Sequence, residues 1–388
     1  MKIRLKRLCT LITEVESNEP RPYVALEHIG NNTGQLLLEA ELEVLDAPGP
    51  GMATSQPGDV LFGKLRPYLA KTWSPEISVY ASTELLCLRP NSRAYNDWYK
   101  WLMSSQPVIE WGVATSEGTK MPRTSWEKLS ALEVAVPPPS TQRAIADFLD
   151  TETARIDALI EKKQRLSELL LERRQTLISE TVTKGAPGAA AGGDGVNRTV
   201  KLKHVTSVVA GQSPPSNQVA DFEELGLPFL QGNAEFGTSN PKPRYRCDSA
   251  QKSCAQGAIL LSVRAPVGAL NIADREYGIG RGLCAIQPSK INEKFFWWVV
   301  NASIAELLSM AVGSTYDAVT TEDVGNVRIP HPDDPTQRAI ADFLDAETAK
   351  IDTLRTRINN QLELLKEHRQ ALVTAAVTDQ LDIPGVPA

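Results

Sequence analysis

The side chains best equipped for chemistry in this 388-residue chain are cations gathered on glycine- and proline-shaped segments. GKLRPYLAKTW at 63–73 carries Lys64, Arg66 and Lys71 beside Tyr68 and Trp73 with no acid among them, and GTKMPRTSW at 118–126 adds Lys120 and Arg123. In the second half NPKPRYRC at 240–247 supplies Lys242, Arg244, Tyr245 and Arg246, while Arg264, Arg281 and Tyr316 stand near predicted loops. Lys and Arg neutralise phosphates, and an Arg fork can take O6 and N7 of guanine together, so such loops suit both the backbone and the base edges of DNA. For any one of these residues a solvated surface loop is the plain alternative, and it is the clustering that argues for DNA. Tyr316, on GSTYD, is balanced between packing and a DNA contact.

Groups that would catalyse are missing. No G-x-x-x-x-G-K-[ST] phosphate loop, H-E-x-x-H, G-x-S-x-G or C-x-x-C is present, and no Asn- or Asp-Pro-Pro-aromatic segment of an amino-methyltransferase occurs. The glycine-rich run Tyr277-Gly278-Ile279-Gly280-Arg281-Gly282 lacks dinucleotide-binding spacing and reads as a turn. Asp333 and Asp334 lie at a junction flanked by prolines and read as the start of a helix rather than a metal site. Five cysteines without a C-x-x-C pair and four histidines favour neither disulfides nor zinc. The net charge of -6 removes the basic excess that usually advertises a nucleic-acid binder, so any affinity for DNA must come from local clusters. No membrane span and no secretory leader can be read, which predicts a cytoplasmic protein without its own active site, metal or cofactor.

The elements that must position these loops are written twice. TQRAIADFLDTETARID at 141–157 and TQRAIADFLDAETAKID at 336–352 agree at 15 of 17 positions, at an offset of 195. The same offset pairs Leu159 with Leu354, Glu168 with Glu363, Arg174 with Arg369, Gln175 with Gln370 and Val182 with Val377. Leu344, Ile351, Ile358, Leu365 and Leu372 recur every seven residues, and Leu149, Ile156, Lys163, Leu170 and Leu177 hold the matching places. A second track adds Ile145, Leu159 and Leu166 in one copy, Ile340 and Leu354 in the other. Such stripes pack on another helix. Pro137 to Pro139 with Thr141, and Pro335 with Thr336, mark the helix starts, and Gly185 and Pro187 mark the end of the first helix. A homodimerising coiled coil is one solution. Two near-identical helices on one chain can also satisfy each other, as an antiparallel pair within the molecule carrying one globular part at each tip.

The expected organisation is therefore a globular part over 1–139, a long helix over 140–184, a flexible Gly/Ala linker over 185–199, a second globular part over 200–335, a second helix over 336–380 and a tail over 381–388. Short β-like runs (60–62, 85–88, 132–136) beside helical stretches such as 95–105 predict two α/β or α+β units. Trp297 and Trp298, beside Phe295 and Phe296, read as the core of a helix rather than a base-stacking platform.

The Pro-rich junctions VAVPPPSTQRAIADFLD at 133–149 and VRIPHPDDPTQRAIADFLD at 327–345, with the openings GDVLFGKLRPYLAK at 58–71 and STELLCLRP at 82–90, resemble the specificity subunit of Type I restriction-modification enzymes over the full chain. The resemblance implies two target recognition domains, each reading half of a bipartite asymmetric double-stranded DNA site, and a helix pair acting as a spacer ruler. It implies as partners two modification subunits, which carry S-adenosylmethionine and methylate adenine, and restriction subunits that translocate and cleave DNA. Lys64, Arg66, Lys120 and Arg123 would serve the first half-site, and Arg244, Arg246, Arg264, Arg281 and Tyr316 the second. A recognition subunit of a fused methylase-nuclease and a coiled-coil scaffold without DNA function are the alternatives.

Overall fold

The two TQRAIADFLD segments lie in the opening turns of two long helices in the computed structural model, which describes residues 2–13, 19–37, 41–187, 198–214, 219–221, 226–247, 250–311 and 319–384. Most of the expected linker, residues 188–197, is outside that set. The described residues hold helices α1 (Asn96–Met103), α2 (Gln106–Ala114), α3 (Trp126–Leu129), α4 (Pro139–Lys184), α5 (Glu293–Ala311), α6 (Thr321–Asn326) and α7 (Asp334–Val377). Pro139 is the first residue of α4, where its missing N–H costs nothing, so Thr141 lies inside the first turn and is buried instead of capping. In α7 the cap is Asp333, whose Oδ1 accepts the Thr336 N–H at 3.2 Å. Thr336 is thus held by a cap instead of providing one. α4 stops where Gly185 adopts a φ of 94° and donates to the Thr181 carbonyl at 2.9 Å, a left-handed ending that glycine takes without steric cost.

The chain divides into two compact units, Met1–Arg165 with Ile358–Ala388, and Leu166–Arg357. The first contains β1 (Lys2–Arg4), β2 (Cys9–Ile12), β3 (Arg21–Val24), β4 (Val44–Leu45), β5 (Ala53–Ser55), β6 (Val60–Gly63), β7 (Thr72–Trp73), β8 (Val79–Ala81), β9 (Leu85–Pro90) and β10 (Glu133–Ala135). Its sheets run β2-β9-β6-β7 and β4-β3-β8-β5, with a β1-β10 ribbon. The second contains β11 (Thr199–Lys201), β12 (Thr206–Ala210), β13 (Val219–Asp221), β14 (Leu227–Leu230), β15 (Tyr245–Cys247), β16 (Ser253–Cys254), β17 (Ile259–Ser262), β18 (Leu270–Ile272), β19 (Tyr277–Ile279), β20 (Leu283–Pro288) and β21 (Arg328–Pro330). Its order, β12-β20-β17-β18 and β13-β15-β14-β19-β16 with a β11-β21 ribbon, repeats the first plan with one strand added. In each unit one pair is parallel, β3 with β8 and β14 with β19. β6 and β17 are buried at every residue, which is why VLFG and ILLS read as continuous apolar runs rather than alternating ones.

The glycine-rich run is only partly a turn. Tyr277–Ile279 forms β19 inside the five-stranded sheet, and a Cβ on Gly278 would come within 2.6 Å of Ala250 and 2.9 Å of Phe229. Glycine is present there for close packing, and the turn is confined to 280–282.

Each unit closes its core on both long helices. In the first, Phe62, Leu88, Trp98 and Leu102 cluster with Ile145, Ala146 and Leu149 of α4 and Val373, Ala376 and Val377 of α7. In the second, Phe295, Phe296 and Val299 cluster with Ile178 and Val182 of α4 and Ile340, Ala341 and Leu344 of α7. The aromatic run at 295–298 is therefore core. Leu149 and Leu344 are fully buried, so truncating either to Ala would cost about 2–5 kcal/mol.

The two helices pack antiparallel. In the first unit Asp157 meets Arg369 and Lys163 meets Gln361; in the second Arg174 meets Asp352. Along the seven-residue stripe Leu149, Ile156, Leu344 and Ile358 are buried and Leu170, Leu177, Ile351, Leu365 and Leu372 half-buried. Lys163 is half-buried in the same stripe, its Nζ donating to Gln361 Oε1 at 2.7 Å. The second track differs from the expectation beyond Ile145 and Ile340, because Leu159, Leu166 and Leu354 are exposed. The inward positions fall four residues after the stripe, at Thr153, Ile160, Ser167, Arg174 and Thr181 and at Thr348, Arg355, Leu362, Arg369 and Ala376. Seven of those ten positions are polar, so a hydrophobicity pattern selects the leucines of the flank instead.

Candidate nucleic-acid interface

Three turns of the first unit converge to hold its basic loops. Gly63 ends β6, and the segment after it is laced into the β8–β9 turn and the loop before α3: the Lys64 N–H donates to the Glu84 carbonyl at 3.0 Å, Arg66 N–H to Pro122 at 2.7 Å and Thr124 N–H to Lys64 at 3.0 Å. Arg123 exchanges both backbone bonds with Glu117, at 2.8 and 2.9 Å. Arg66 and Ala70 adopt left-handed backbone with φ of 51° and 48°, which disfavours side-chain-bearing residues and marks a stored strain of the kind found at functional loops. Lys64, Arg66, Lys120 and Arg123 are thus brought onto one backbone-paired surface, with the exposed Tyr68 and Met121 beside them. The side chains of Lys64, Arg66 and Lys120 make no ion pair or hydrogen bond among the described residues.

Lys71 is placed differently. It is half-buried, its Nζ donates to the Leu26 carbonyl at 2.7 Å, and burial lowers its pKa, with Glu27 opposing. Arg123 is paired with an acid that spacing gives no reason to link to it: Nε and Nη2 donate to the two carboxylate oxygens of Glu84 at 3.0 and 2.9 Å, which raises the Arg123 pKa. Lys128 pairs with Glu117 and holds that carboxyl below its ordinary range.

In the second unit Arg264 follows β17 and Arg281 lies on the β19–β20 turn; both are exposed. Their loops are joined by the Val263 N–H, which donates to the Gly282 carbonyl at 3.0 Å just as Lys64 does to Glu84. Lys242 and Arg244 are exposed on a separate segment leading into β15, and Arg246 is half-buried, its Nη1 donating to the Gly226 carbonyl. Tyr316 lies outside the described residues.

The sequence reading pairs Arg174 with Arg369 but misses the set they belong to: the 195-residue offset also relates Asp150 to Asp345, Asp157 to Asp352 and Gln142 to Gln337, while Trp101 and Trp298 stand 197 apart. Trp101 Nε1 donates to Asp150 at 2.9 Å, and Arg369 of α7 lies with its guanidinium 5.7 Å from the Trp101 ring while bonding Asp157 at 2.8 Å. In the second unit Trp298 Nε1 donates to Asp345 at 2.9 Å, and Arg174 of α4 lies 5.8 Å from the Trp298 ring while bonding Asp352 at 3.1 Å. Gln142 and Gln337 repeat the theme, each accepting a backbone N–H from the residue opening the helix of its unit, Tyr95 at 2.7 Å and Asn292 at 2.8 Å. These bonds attach each globular part to the helices on which it is carried.

Nothing in the described residues could gather a metal ion from three or more His, Cys, Asp or Glu. All five cysteines are buried, and burial pushes the thiols of Cys9 and Cys254 up to about 11 and those of Cys87 and Cys284 to about 12, so they are inert. No described helix is long and apolar enough to cross a membrane. The site offers donors and cations for binding, and no acid, base or nucleophile poised for catalysis among the described residues.

Comparisons agree with that chemistry. Residues 65–169 and 197–364, together well over half of the chain, match the Type I restriction modification DNA specificity domain. The chain is similar to a Methanocaldococcus jannaschii protein named as the MjaX type I restriction enzyme specificity subunit, 27% identical over 351 residues that cover 84% of this chain and 79% of the other. It is also similar to the EcoDI specificity subunit of Escherichia coli, 26% identical over 186 residues, 44% and 40% of the two. A chain solved in work on complex assembly and conformational transition of the type I R-M system superimposes with a TM-score of 0.83 at 27% identity over 98% of both chains. The HsdS subunit from Thermoanaerobacter tengcongensis gives 0.58 at 27% identity, over 98% of this chain and 97% of that one. The chain belongs to the specificity subunits of Type I restriction-modification systems, the non-catalytic DNA-specificity part of that complex.

Proposed function

We propose that each unit reads one half of a bipartite, asymmetric double-stranded DNA site and that α4 and α7 set the length of the unread spacer between the halves. The observation that carries this reading is one frame bearing two unlike loop sets: the sheet order and the Trp–Asp–Arg attachment to the helices repeat, while the exposed loops carry Lys64, Arg66, Lys120 and Arg123 in one unit and Lys242, Arg244, Arg264 and Arg281 in the other. Similar helices suit the same partner bound twice; different loops suit two different base sequences.

That partner is a modification subunit, two copies of which dock on the helix pair, bring S-adenosylmethionine and methylate adenine; restriction subunits join the assembly to translocate and cut. Support comes from Leu159 and Leu364 in the first unit and Leu166, Leu169 and Leu354 in the second, large apolar side chains left exposed on otherwise polar helices. Leu159 and Leu354, and Leu169 and Leu364, are repeats of one another at the same offset.

Mapping methylated adenines in cells that express this chain with its modification subunit tests the proposal. The expected motif is two unlike half-sites around a spacer of constant length; a continuous or palindromic motif would overturn it. Inserting seven residues after Leu166 and seven after Gln361 keeps the helix register and lengthens the rod by about 10 Å, which is about three base pairs. The mapped spacer should grow by that amount with both half-sites retained, and an unaltered spacer would refute the ruler.

A further inference from the structure

We infer that Glu84 turns Arg123 into a guanine reader for the first half-site instead of a phosphate clamp; this deepens the proposed DNA reading and rests on it. The ion pair is not needed to shape the loop. Arg123 already exchanges both backbone bonds with Glu117, and Glu84 already holds the Lys64 N–H through its carbonyl. What the carboxylate adds is a constraint on a side chain that is 48% exposed, from an acid that is 28% exposed. Such a pair contributes little to stability at the surface, so its effect is on the geometry of the guanidinium.

The donor count decides which partner fits. A guanidinium has five N–H donors in a plane. Nε and Nη2 each give one to the oxygens of Glu84. The remaining three lie on Nη1 and the outer side of Nη2, none of them bonded among the described residues. Two adjacent N–H groups at the end of the fork match O6 and N7 of guanine in the major groove. The bidentate bond also removes the rotamer freedom of a long side chain before DNA arrives, so that freedom is not lost on binding.

Charge points the same way. A guanidinium neutralised by a carboxylate has lost most of its attraction for phosphate, and the carboxylate repels a phosphate oxygen brought to the same place. Directional donors survive that neutralisation; Coulombic steering does not. Arg66 and Lys120, on the same surface and without an acid partner among the described residues, are the groups suited to phosphate. In the second unit the residue whose carbonyl plays the part of Glu84 is Gly282, so this arrangement belongs to the first unit.

The test uses the full chain in complex with its modification subunit, and duplexes of its mapped site in which each guanine of the two half-sites is replaced in turn by 7-deazaguanine, which lacks the N7 acceptor. One guanine, in one half-site, should show a loss of about tenfold with the parent protein. Arg123→Lys keeps the charge and abolishes that penalty by binding both duplexes equally weakly. Glu84→Gln reduces the same penalty severalfold, because the guanidinium is no longer held for the base edge, and steepens the slope of log K against log salt by up to about one, because the charge of Arg123 is no longer offset. If Arg123→Lys leaves every penalty intact, or if no guanine carries one, Arg123 is not a base reader and the inference falls while the DNA-binding role stands. A complex without any sequence preference would overturn both.

Discussion

Arg369 and Arg174 are the same residue of a duplicated helix, and their surroundings show how one frame serves two different readers. Arg369 is 6% exposed: it bonds both oxygens of Asp157, at 2.8 and 3.2 Å, faces the Trp101 ring, and gives two further N–H groups to the carbonyls of Asn32 at 3.0 Å and Thr33 at 2.6 Å. Arg174 is 24% exposed and, among the described residues, keeps only the acid and the ring, Asp352 and Trp298. In the first unit the loop after β3 is thus tied to the helix. The corresponding loop of the second unit is tied to its own sheet, with Asn271 Nδ2 donating to the Gly237 carbonyl and Asn240 Nδ2 to that of Ile272, each at 3.0 Å. The difference teaches that the helix supplies a fixed attachment at the Trp and the Asp, and that whatever else the Arg can reach is set by the loop it meets.

The comparison breaks first on stability. Arg369→Ala strands a carboxylate and two carbonyls that are half-buried or better, and should lower the stability of the first unit by about 3 kcal/mol. Arg174→Ala removes a solvent-screened pair and should cost the second unit no more than about 1 kcal/mol. Hydrogen exchange of Ile145–Leu149 and of Leu344–Thr348 read separately checks this, and equal losses in the two units would mean that the carbonyl contacts of Arg369 contribute nothing.

A smaller effect concerns DNA affinity. Arg66→Ala with Arg123→Ala should reduce the slope of log K against log salt by about one, because the charge of Arg123 is already offset by Glu84. Arg264→Ala with Arg281→Ala, where the turn has Gly282 and no acid, should reduce it by about two. Filter binding across a salt series makes the measurement; identical reductions would erase the distinction between the two surfaces.

The smallest effect is at the caps of α3 and α6. Ser125 caps α3 with its hydroxyl, which does not titrate. In α6, Thr320 and Asp323 cap each other, and the hydrogen bonds from Thr320 hold the Asp323 carboxyl below its ordinary value of 3.8. A carboxyl depressed on folding adds stability that is present above its ordinary pKa and lost as pH falls through the lower folded value. Asp323→Ala should therefore cost the second unit about 0.5 kcal/mol at neutral pH and nothing in strong acid, whereas Ser125→Ala should cost the first unit a similar amount at every pH. Acid titration of both variants followed by exchange at α3 and α6 distinguishes them.

Much of the frame was legible because it is periodic. Heptad positions such as Leu149, Ile156 and Leu344 turn inward, and 15 identities in 17 residues announce two helices with the same surroundings. The flank leucines were misassigned for a physical reason: residues three and four after a stripe position are almost equally placed on a helix, and only the partner decides which side faces in. Around the interface, the cations were visible one segment at a time. That Lys71 turns to the Leu26 carbonyl, and that Glu84 captures Arg123 from 39 residues away, depended on strand order.

Repetition and period are properties of the chain read in one dimension, so the duplicated helices, their inward stripe, the lack of catalytic motifs and the family all follow from residue order alone. Which acid meets which cation does not. Arg369 reaches Thr33 across 336 residues and Arg123 reaches Glu84 because sheets of mixed direction bring distant turns together, and that juxtaposition is an outcome of packing which spacing along the chain does not encode.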